Sequence, residues 1–164
     1  MEDKSILIKV QLEGVRMEYP SQKPIILLKE IEGERFLPIW VGAFEASAIA
    51  LELADFKTPR PMTHDLIISI IKELGAKVDF IAVTDIVNDT FYATLNLINI
   101  TEQTVPVDLR PSDAIAIAVR SKCPIFASKF VLENAGLRIS SIEEEIEKFK
   151  DFLDHTSPED FNIK

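Results

Sequence analysis

Apolar and polar residues alternate over residues 6–12, so that every second side chain falls on one apolar face. A period of two is typical of a β-strand with one buried face. Further short runs are rich in β-branched and aromatic residues, and turn residues such as Asn88 and Asp89 separate them. The predicted strands cover residues 6–12, 25–31, 35–41, 78–87, 91–100, 104–109 and 124–127.

Boundary residues mark the helical stretches between these strands. Gly42 permits a sharp entry into a helix, Thr63 is a suitable N-cap, and Gly75 is a suitable C-terminal stop. Pro111 suits a first helical position, because it lacks the N–H that would be unsatisfied there. The predicted helices cover residues 43–56, 64–74, 111–122 and 128–134, and a capping-box pattern predicts an acidic helix over 141–154.

Two segments of the chain repeat one pattern. Residues 38–50 and 106–118 both predict a strand, a sharp turn and an alanine-rich helix with an acid at its third position. The repeat aligns Glu45 with Asp113, and two predicted strands precede each segment. We therefore predict an α+β fold of two βββα halves with an antiparallel or mixed sheet, an inserted helix and C-terminal helices. The alternative is chance similarity between two amphipathic units.

Composition and charge narrow the class of protein. A chain of 164 residues is long enough for one domain with a core. The net charge of −9 argues against bulk attraction to nucleic acid, so a polyanion would need a local basic patch or a metal ion. The single cysteine, Cys123, excludes an intrachain disulfide and a multi-cysteine metal site. Without a signal-peptide pattern or a membrane-spanning apolar run, we expect a cytoplasmic protein with no membrane partner.

The start of the helix predicted over residues 111–122 gathers chemically active groups. Asp108, Arg110, Ser112 and Asp113 lie within six residues, beside unpaired backbone N–H groups and the positive end of the helix dipole. That combination attracts phosphate or carboxylate groups. The alternative is structural for each residue alone, because Asp113 can cap the helix and Arg110 can pair with Asp108.

A second polar cluster lies in residues 58–66. His64 and Asp65 begin a predicted helix, and Arg60 lies in the proline-rich approach to it. Histidine titrates near neutral pH and can act as a general acid or base. The alternative is that Asp65 merely caps the helix and that His64 is solvated. The chain contains no glycine-rich phosphate loop and no zinc-protease or serine-hydrolase motif.

Three motifs, residues 37–50, 60–66 and 108–118, together resemble the bifunctional nuclease family and occur in the order of that family. The resemblance covers roughly residues 5–138. It implies a bifunctional-nuclease-like domain over residues 1–138, with an acidic helix and tail, 139–164, in the same globular unit. It also implies cleavage of both DNA and RNA.

Residue chemistry within these motifs suggests roles. The expected catalytic residues are His64, Asp65, Glu45 and Asp113. The expected substrate-binding residues are Arg60, Arg110, Ser112 and Arg120. The histidine would be a general base or acid, and the acids would hold a divalent cation, Mg²⁺ or Mn²⁺, through oxygen ligands.

Two further expectations concern partners. The alternative to a nuclease is a non-catalytic binding or regulatory module that takes a small anion or a protein partner at the same place. Several strands are apolar on both faces, yet the chain has few elements to cover them. We therefore expect a homodimer that buries at least about 1,000 Å².

Overall fold

The computed structural model describes residues 2–138. The helices are α1 Glu2–Ser5, α2 Ala43–Leu53, α3 Thr63–Glu73, α4 Pro111–Ser121 and α5 Lys129–Ala135. The strands are β1 Leu7–Met17, β2 Pro24–Glu30, β3 Arg35–Trp40, β4 Lys77–Val87, β5 Thr90–Ile98, β6 Thr104–Leu109, β7 Ile125–Ser128 and β8 Leu137–Arg138. The acidic helix expected over 141–154 lies outside the described residues.

The strands form one mixed sheet in the order β6–β5–β4–β7–β1–β2–β3–β8. Strand β7 pairs parallel with β4 and antiparallel with β1, so β1 and β4 run in opposite directions. The unit β1–β2–β3–α2 therefore lies on one side of β7, and the unit β4–β5–β6–α4 lies on the other with its strands reversed. This arrangement confirms the predicted α+β fold of two βββα halves.

The first strand is longer than its alternating pattern predicted. β1 continues past residue 12 to Met17, and its pairing with β2 shifts register between Leu12 and Gly14. Gly14 has a φ of 137°, a conformation that side chains with a Cβ rarely adopt. The alternation is interrupted at this bulge, and for that reason periodicity alone ends the strand too early.

The N-terminus of α3 corrects one prediction. Thr63 is the first helical residue and not the N-cap, because the N-cap position belongs to Met62. The cap is supplied from within the helix, where the Asp65 carboxylate accepts a hydrogen bond of 2.8 Å from the backbone N–H of Met62. An acid at the third helical position can satisfy this N–H without a capping Ser or Thr.

Helix α4 lies at the centre of the core. Its small residues Ala114, Ala116 and Ala118 are buried, and α2 and α3 both pack against it. The main core cluster joins α4 to one face of the sheet, through residues such as Val10 and Ile81. Within residues 2–138, no helix is long and apolar enough to cross a lipid bilayer. The alanines let α2 and α3 approach α4 closely, and this packing brings the helix N-termini together.

Candidate active site

The acids at the starts of α2 and α4 meet at one point. Each helix follows a strand by a sharp turn, with Gly42 and Arg110 as the N-cap residues. Glu45 and Asp113 therefore occupy the same third helical position in the two halves of the repeat. Negative charge is favoured there by the helix dipole. The two carboxylates converge on the guanidinium of Arg110, which contacts both.

Arg110 holds this cluster together and still faces solvent. Its Nε and Nη2 donate to the two oxygens of Asp113 at 2.8 and 3.1 Å, and its Nη1 donates to Glu45 Oε1 at 2.8 Å. A guanidinium has five N–H donors, so two of them are left over, one on each terminal nitrogen. The side chain is 65% exposed. These two donors are therefore placed to receive an anion from solvent.

His64 stands behind Asp113. Its Nε2 lies 3.0 Å from Asp113 Oδ1, and the residue is only 7% exposed. Burial raises the pKa of Asp113, but the hydrogen bonds from Arg110 and His64 outweigh it and leave that pKa below its ordinary value. An ionised carboxylate can only accept a hydrogen bond, so we assign the donated proton to Nε2 of His64. The buried imidazole thus fixes the orientation of Asp113.

An open pocket adjoins the Arg110 cluster, which comprises Glu45, His64, Arg110 and Asp113. Its volume is about 290 Å³. The end of β3, the start of α2, the turn between β4 and β5, and the start of α4 form its walls. The lining residues include Trp40, Gly42, Glu45, Asp89, Thr90, Phe91, Arg110 and Ser112. Ser112 itself is buried, with little of its surface open to solvent.

Asp65 and Arg120 form a separate pair on the other side of α3. Arg120 Nε donates to Asp65 Oδ1 at 2.7 Å, Nη1 donates to the carbonyl of Ala116 at 2.9 Å, and Nη2 donates to the carbonyl of Ala48 at 3.1 Å. The Arg120 side chain is 6% exposed. Burial raises the pKa of Asp65, but the Met62 N–H and Arg120 bring it below its ordinary value. This arginine ties α2, α3 and α4 together.

Arg60 lies beside this pair and apart from the Arg110 cluster. It lines a second open pocket of about 410 Å³, together with Arg120, Asp65 and the apolar residues Phe56 and Met62. Arg60 is exposed, and none of the ion pairs found between described residues involves its guanidinium.

The expected site residues therefore divide into two groups. Glu45, His64, Arg110 and Asp113 share one hydrogen-bonded cluster, with Ser112 in the adjoining pocket. Asp65, Arg120 and Arg60 lie at the second pocket. Their catalytic and substrate-binding roles stay predictions. Sequence reasoning gave no role to Trp40, although it ends a strand directly before the turn into α2. That position alone could have drawn attention to it.

The donor set gives little support to a metal at this place. Among residues 2–138, no three His, Cys, Asp or Glu side chains are grouped so that they could hold a metal ion. Glu45 and Asp113 carry the oxygen ligands that Mg²⁺ prefers, but Arg110 lies between them, and Asp65 pairs with Arg120 instead. The three acids therefore do not fit the expected cation site in this arrangement, and the cation requirement stays a prediction.

The protein-family profile that matches this chain covers both the Arg110 cluster and the pair of Asp65 and Arg120. Residues 26–140 match the family profile of the bifunctional nuclease domain. An uncharacterized protein of Mycobacterium tuberculosis is 44% identical over 163 residues, 93% of this chain and 97% of that protein. Bifunctional nuclease 1 of Oryza sativa subsp. indica is 32% identical over 117 residues, 70% of this chain and 35% of that protein.

A second plant protein gives the same result. Bifunctional nuclease 1 of Arabidopsis thaliana is 32% identical over 130 residues, 77% of this chain and 40% of that protein. The matched part of each plant protein is therefore well under half of its length, whereas the match to the mycobacterial protein is nearly end to end.

Proposed function

Because the chain belongs to the bifunctional nuclease family, we propose that it hydrolyses phosphodiester bonds of DNA and RNA at the Arg110 cluster. One observation supports this site above all others. A largely exposed guanidinium is held in place by two carboxylates and keeps two N–H donors for a ligand. Arginine in a fixed orientation suits the planar, two-point recognition of a phosphate group.

In this proposal Arg110 binds the phosphate and Asp113 accepts a proton. The lowered pKa of Asp113 keeps it ionised at neutral pH, so it can accept a proton from an attacking water. Oxygen from that water forms the new bond to phosphorus while the bond to the leaving oxygen breaks, and the leaving oxygen takes a proton from solvent. Glu45 holds Arg110 from the opposite side.

His64 acts here as a positioning residue. Its ring is buried and its Nε2 is engaged by Asp113, so it reaches the substrate through that carboxylate. His64→Gln keeps a donor near the position of Nε2, whereas His64→Ala removes it. We expect His64→Gln to retain more turnover than His64→Ala and to have a similar pH profile to the wild type. If both variants fold and are equally inactive, the imidazole itself takes part in the chemistry.

The net charge of the Arg110 cluster disfavours binding of a phosphodiester, and a cation would offset it. With His64 neutral, one guanidinium and two carboxylates sum to a net charge of −1, which opposes a phosphodiester anion. A divalent cation would reverse the sign of that local charge. Because the acids do not fit a cation site in this arrangement, we propose that Mg²⁺ or Mn²⁺ enters together with the phosphodiester, and EDTA should then abolish cleavage.

The test compares purified wild-type protein with Arg110→Ala on single-stranded DNA and RNA. Arg16→Ala is the matched control, because Arg16 is an exposed arginine on β1 and its loss changes the net charge equally. Arg110→Ala should lower cleavage by at least tenfold and reduce the salt dependence of binding by about one counterion. Arg16→Ala should do neither. Cleavage that survives in Arg110→Ala would overturn this site and would point to a contaminating nuclease.

The alternative is a non-catalytic module that binds a small anion or a protein at the same place. One observation favours it: every charged group of the cluster already pairs within the cluster. Binding of inorganic phosphate or of an oligonucleotide without any turnover, lost in Arg110→Ala, would select this alternative over the nuclease.

A further inference from the structure

Two aromatic side chains in the segment that leads into Glu45, a member of the Arg110 cluster, are exposed to solvent. Trp40, the last residue of β3, is 52% exposed, and Phe44, in the first turn of α2, is 90% exposed. Aromatic rings of this size usually contribute buried area to a core or an interface. Among the described residues, Phe44 finds almost no such cover, whereas Trp40 is about half covered and its indole N–H donates to Glu18. Their positions flank Gly42, the N-cap of the helix that carries Glu45.

The pocket next to the cluster connects one of these rings to the site. Trp40 and Phe91 line it together with Glu45, Arg110 and Ser112. Its volume of about 290 Å³ is small enough for one flat ring system and its immediate substituents, but not for a folded polypeptide segment. The pocket is open on one side, so a ligand that enters it can stay attached to a longer chain outside.

The polar groups of the pocket discriminate between a phosphate and a nucleobase. Glu45 and Asp89 present carboxylate oxygens, and Thr90 presents a hydroxyl. Arg110 is the one cation among the described residues that line the pocket, so a phosphate beyond the one that Arg110 binds would meet the two carboxylates and be repelled. A base carries no charge, offers N–H donors to carboxylates along its edge, and stacks its face on an aromatic ring.

We propose that Trp40 and Phe44 form a stacking platform for an unpaired base next to the phosphate held by Arg110, so that the site prefers single-stranded nucleic acid over duplex. The proposal rests on the proposed function, since it places the base relative to that phosphate. A duplex keeps its bases stacked on one another and cannot present a free face without unpairing. Single strands present that face at no such cost.

Binding can be measured separately from cleavage by tryptophan fluorescence. Trp40 is the only tryptophan of the chain, so the signal reports on the proposed platform alone. A single-stranded oligothymidylate should quench the fluorescence of Trp40 on stacking, whereas a duplex of equal length at the same salt concentration should quench it much less. Anisotropy of a labelled oligothymidylate then compares variants. Phe44→Ala and Trp40→Ala should each weaken binding about tenfold, and Trp40→Phe should recover most of the loss.

Phe56→Ala is the matched control, because Phe56 is another exposed ring, at 59%, but lines the second pocket. It should leave single-strand affinity unchanged. Unchanged affinity in both Trp40→Ala and Phe44→Ala would overturn the platform. A second result would also overturn the platform: light scattering that gives a dimer mass for the wild type and a monomer mass for Phe44→Ala, with no quenching of Trp40 in the wild type. A second copy of the chain would then cover the rings.

The outcome also separates this proposal from the nuclease itself. Quenching by single strands in a protein that never cleaves them would retain the platform and reject the nuclease. Cleavage of single strands and duplex at equal rates, with no quenching of Trp40, would retain the nuclease and reject the platform.

Discussion

Arg110 and Arg120 stand at opposite ends of α4, and each pairs with a carboxylate, yet they differ in what they leave available. Arg110 is 65% exposed and keeps two N–H donors free. Arg120 is 6% exposed and divides its donors among Asp65 and two backbone carbonyls on different helices. The residue type is the same at the two ends, and the exposed fraction separates an arginine that faces solvent from one that fastens the helices.

The largest expected effect on the free energy of unfolding comes from Arg120, the buried arginine of the two. Arg120→Ala removes the ion pair with Asp65 and the two hydrogen bonds that join Arg120 to the carbonyls of Ala48 and Ala116. Asp65 is 34% exposed, so the loss is smaller than for a fully buried pair, but three hydrogen bonds of a charged group are lost with it, and together they are worth about 3 kcal/mol. We expect the free energy of unfolding, measured in urea, to fall by about that amount. Arg120→Lys should recover part of it, and a loss below about 1 kcal/mol would show that Arg120 does not fasten the helices.

The alanine contacts around α4 predict the next effect. Ala116 is fully buried in the core, where α2 and α3 pack against α4. Overpacking such a position typically costs about 1–3 kcal/mol, so Ala116→Leu should lower the melting temperature clearly. Ala50→Leu places the same side chain on the exposed surface of α2 and is the control. Equal melting temperatures for the two variants would contradict the close packing.

Acid should weaken the ion pair between Asp65 and Arg120, because it protonates Asp65. The pKa of Asp65 is lower in the folded protein than its ordinary value, so its ionised form stabilises the fold. This contribution is complete above the ordinary aspartate value of about 4 and is lost as the pH falls through the lower folded-state pKa. In Asp65→Asn the free energy of unfolding should therefore depend less steeply on pH below about 4. An unchanged slope would show that Asp65 does not couple to folding.

The smallest expected effect on stability comes from Arg110, the exposed arginine of the two. Arg110→Ala removes ion pairs that solvent screens, which are typically worth about 1 kcal/mol or less. We expect the unfolding free energy to change by no more than this, while nucleic-acid cleavage falls sharply. A stability loss as large as that of Arg120→Ala would erase the distinction between the two ends and make Arg110 a structural residue.

Much of the fold could be predicted from local patterns, because the βββα repeat appears as alternating strands followed by alanine-rich helices. The acids of the repeat, Glu45 and Asp113, were also paired correctly by that alignment. What could not be predicted depends on distant contacts. The capping of α3 by Asp65 and the continuation of β1 past Gly14 both arise from backbone geometry that no periodicity records.

The separation of the expected site residues into two groups also arises from contacts between residues that are distant in sequence. His64 and Asp65 are neighbours in sequence, but they turn to opposite ends of α4, one to Asp113 and the other to Arg120. Only the packing of α3 on α4 determines that separation, so the sequence could not show that His64 joins the Arg110 cluster while Asp65 pairs with Arg120. Catalytic roles, a requirement for Mg²⁺ or Mn²⁺, a homodimer and a cytoplasmic location stay predictions.

Strand β7 has only four residues, yet within residues 2–138 it is the one strand that joins the two halves of the sheet. During synthesis both halves leave the ribosome before it does, since β7 begins at Ile125 and β6 ends at Leu109. Until then the inner edges of β1 and β4 carry unpaired backbone groups that can pair with another nascent chain. Released chains truncated before Pro124 should therefore aggregate more readily than the full-length chain.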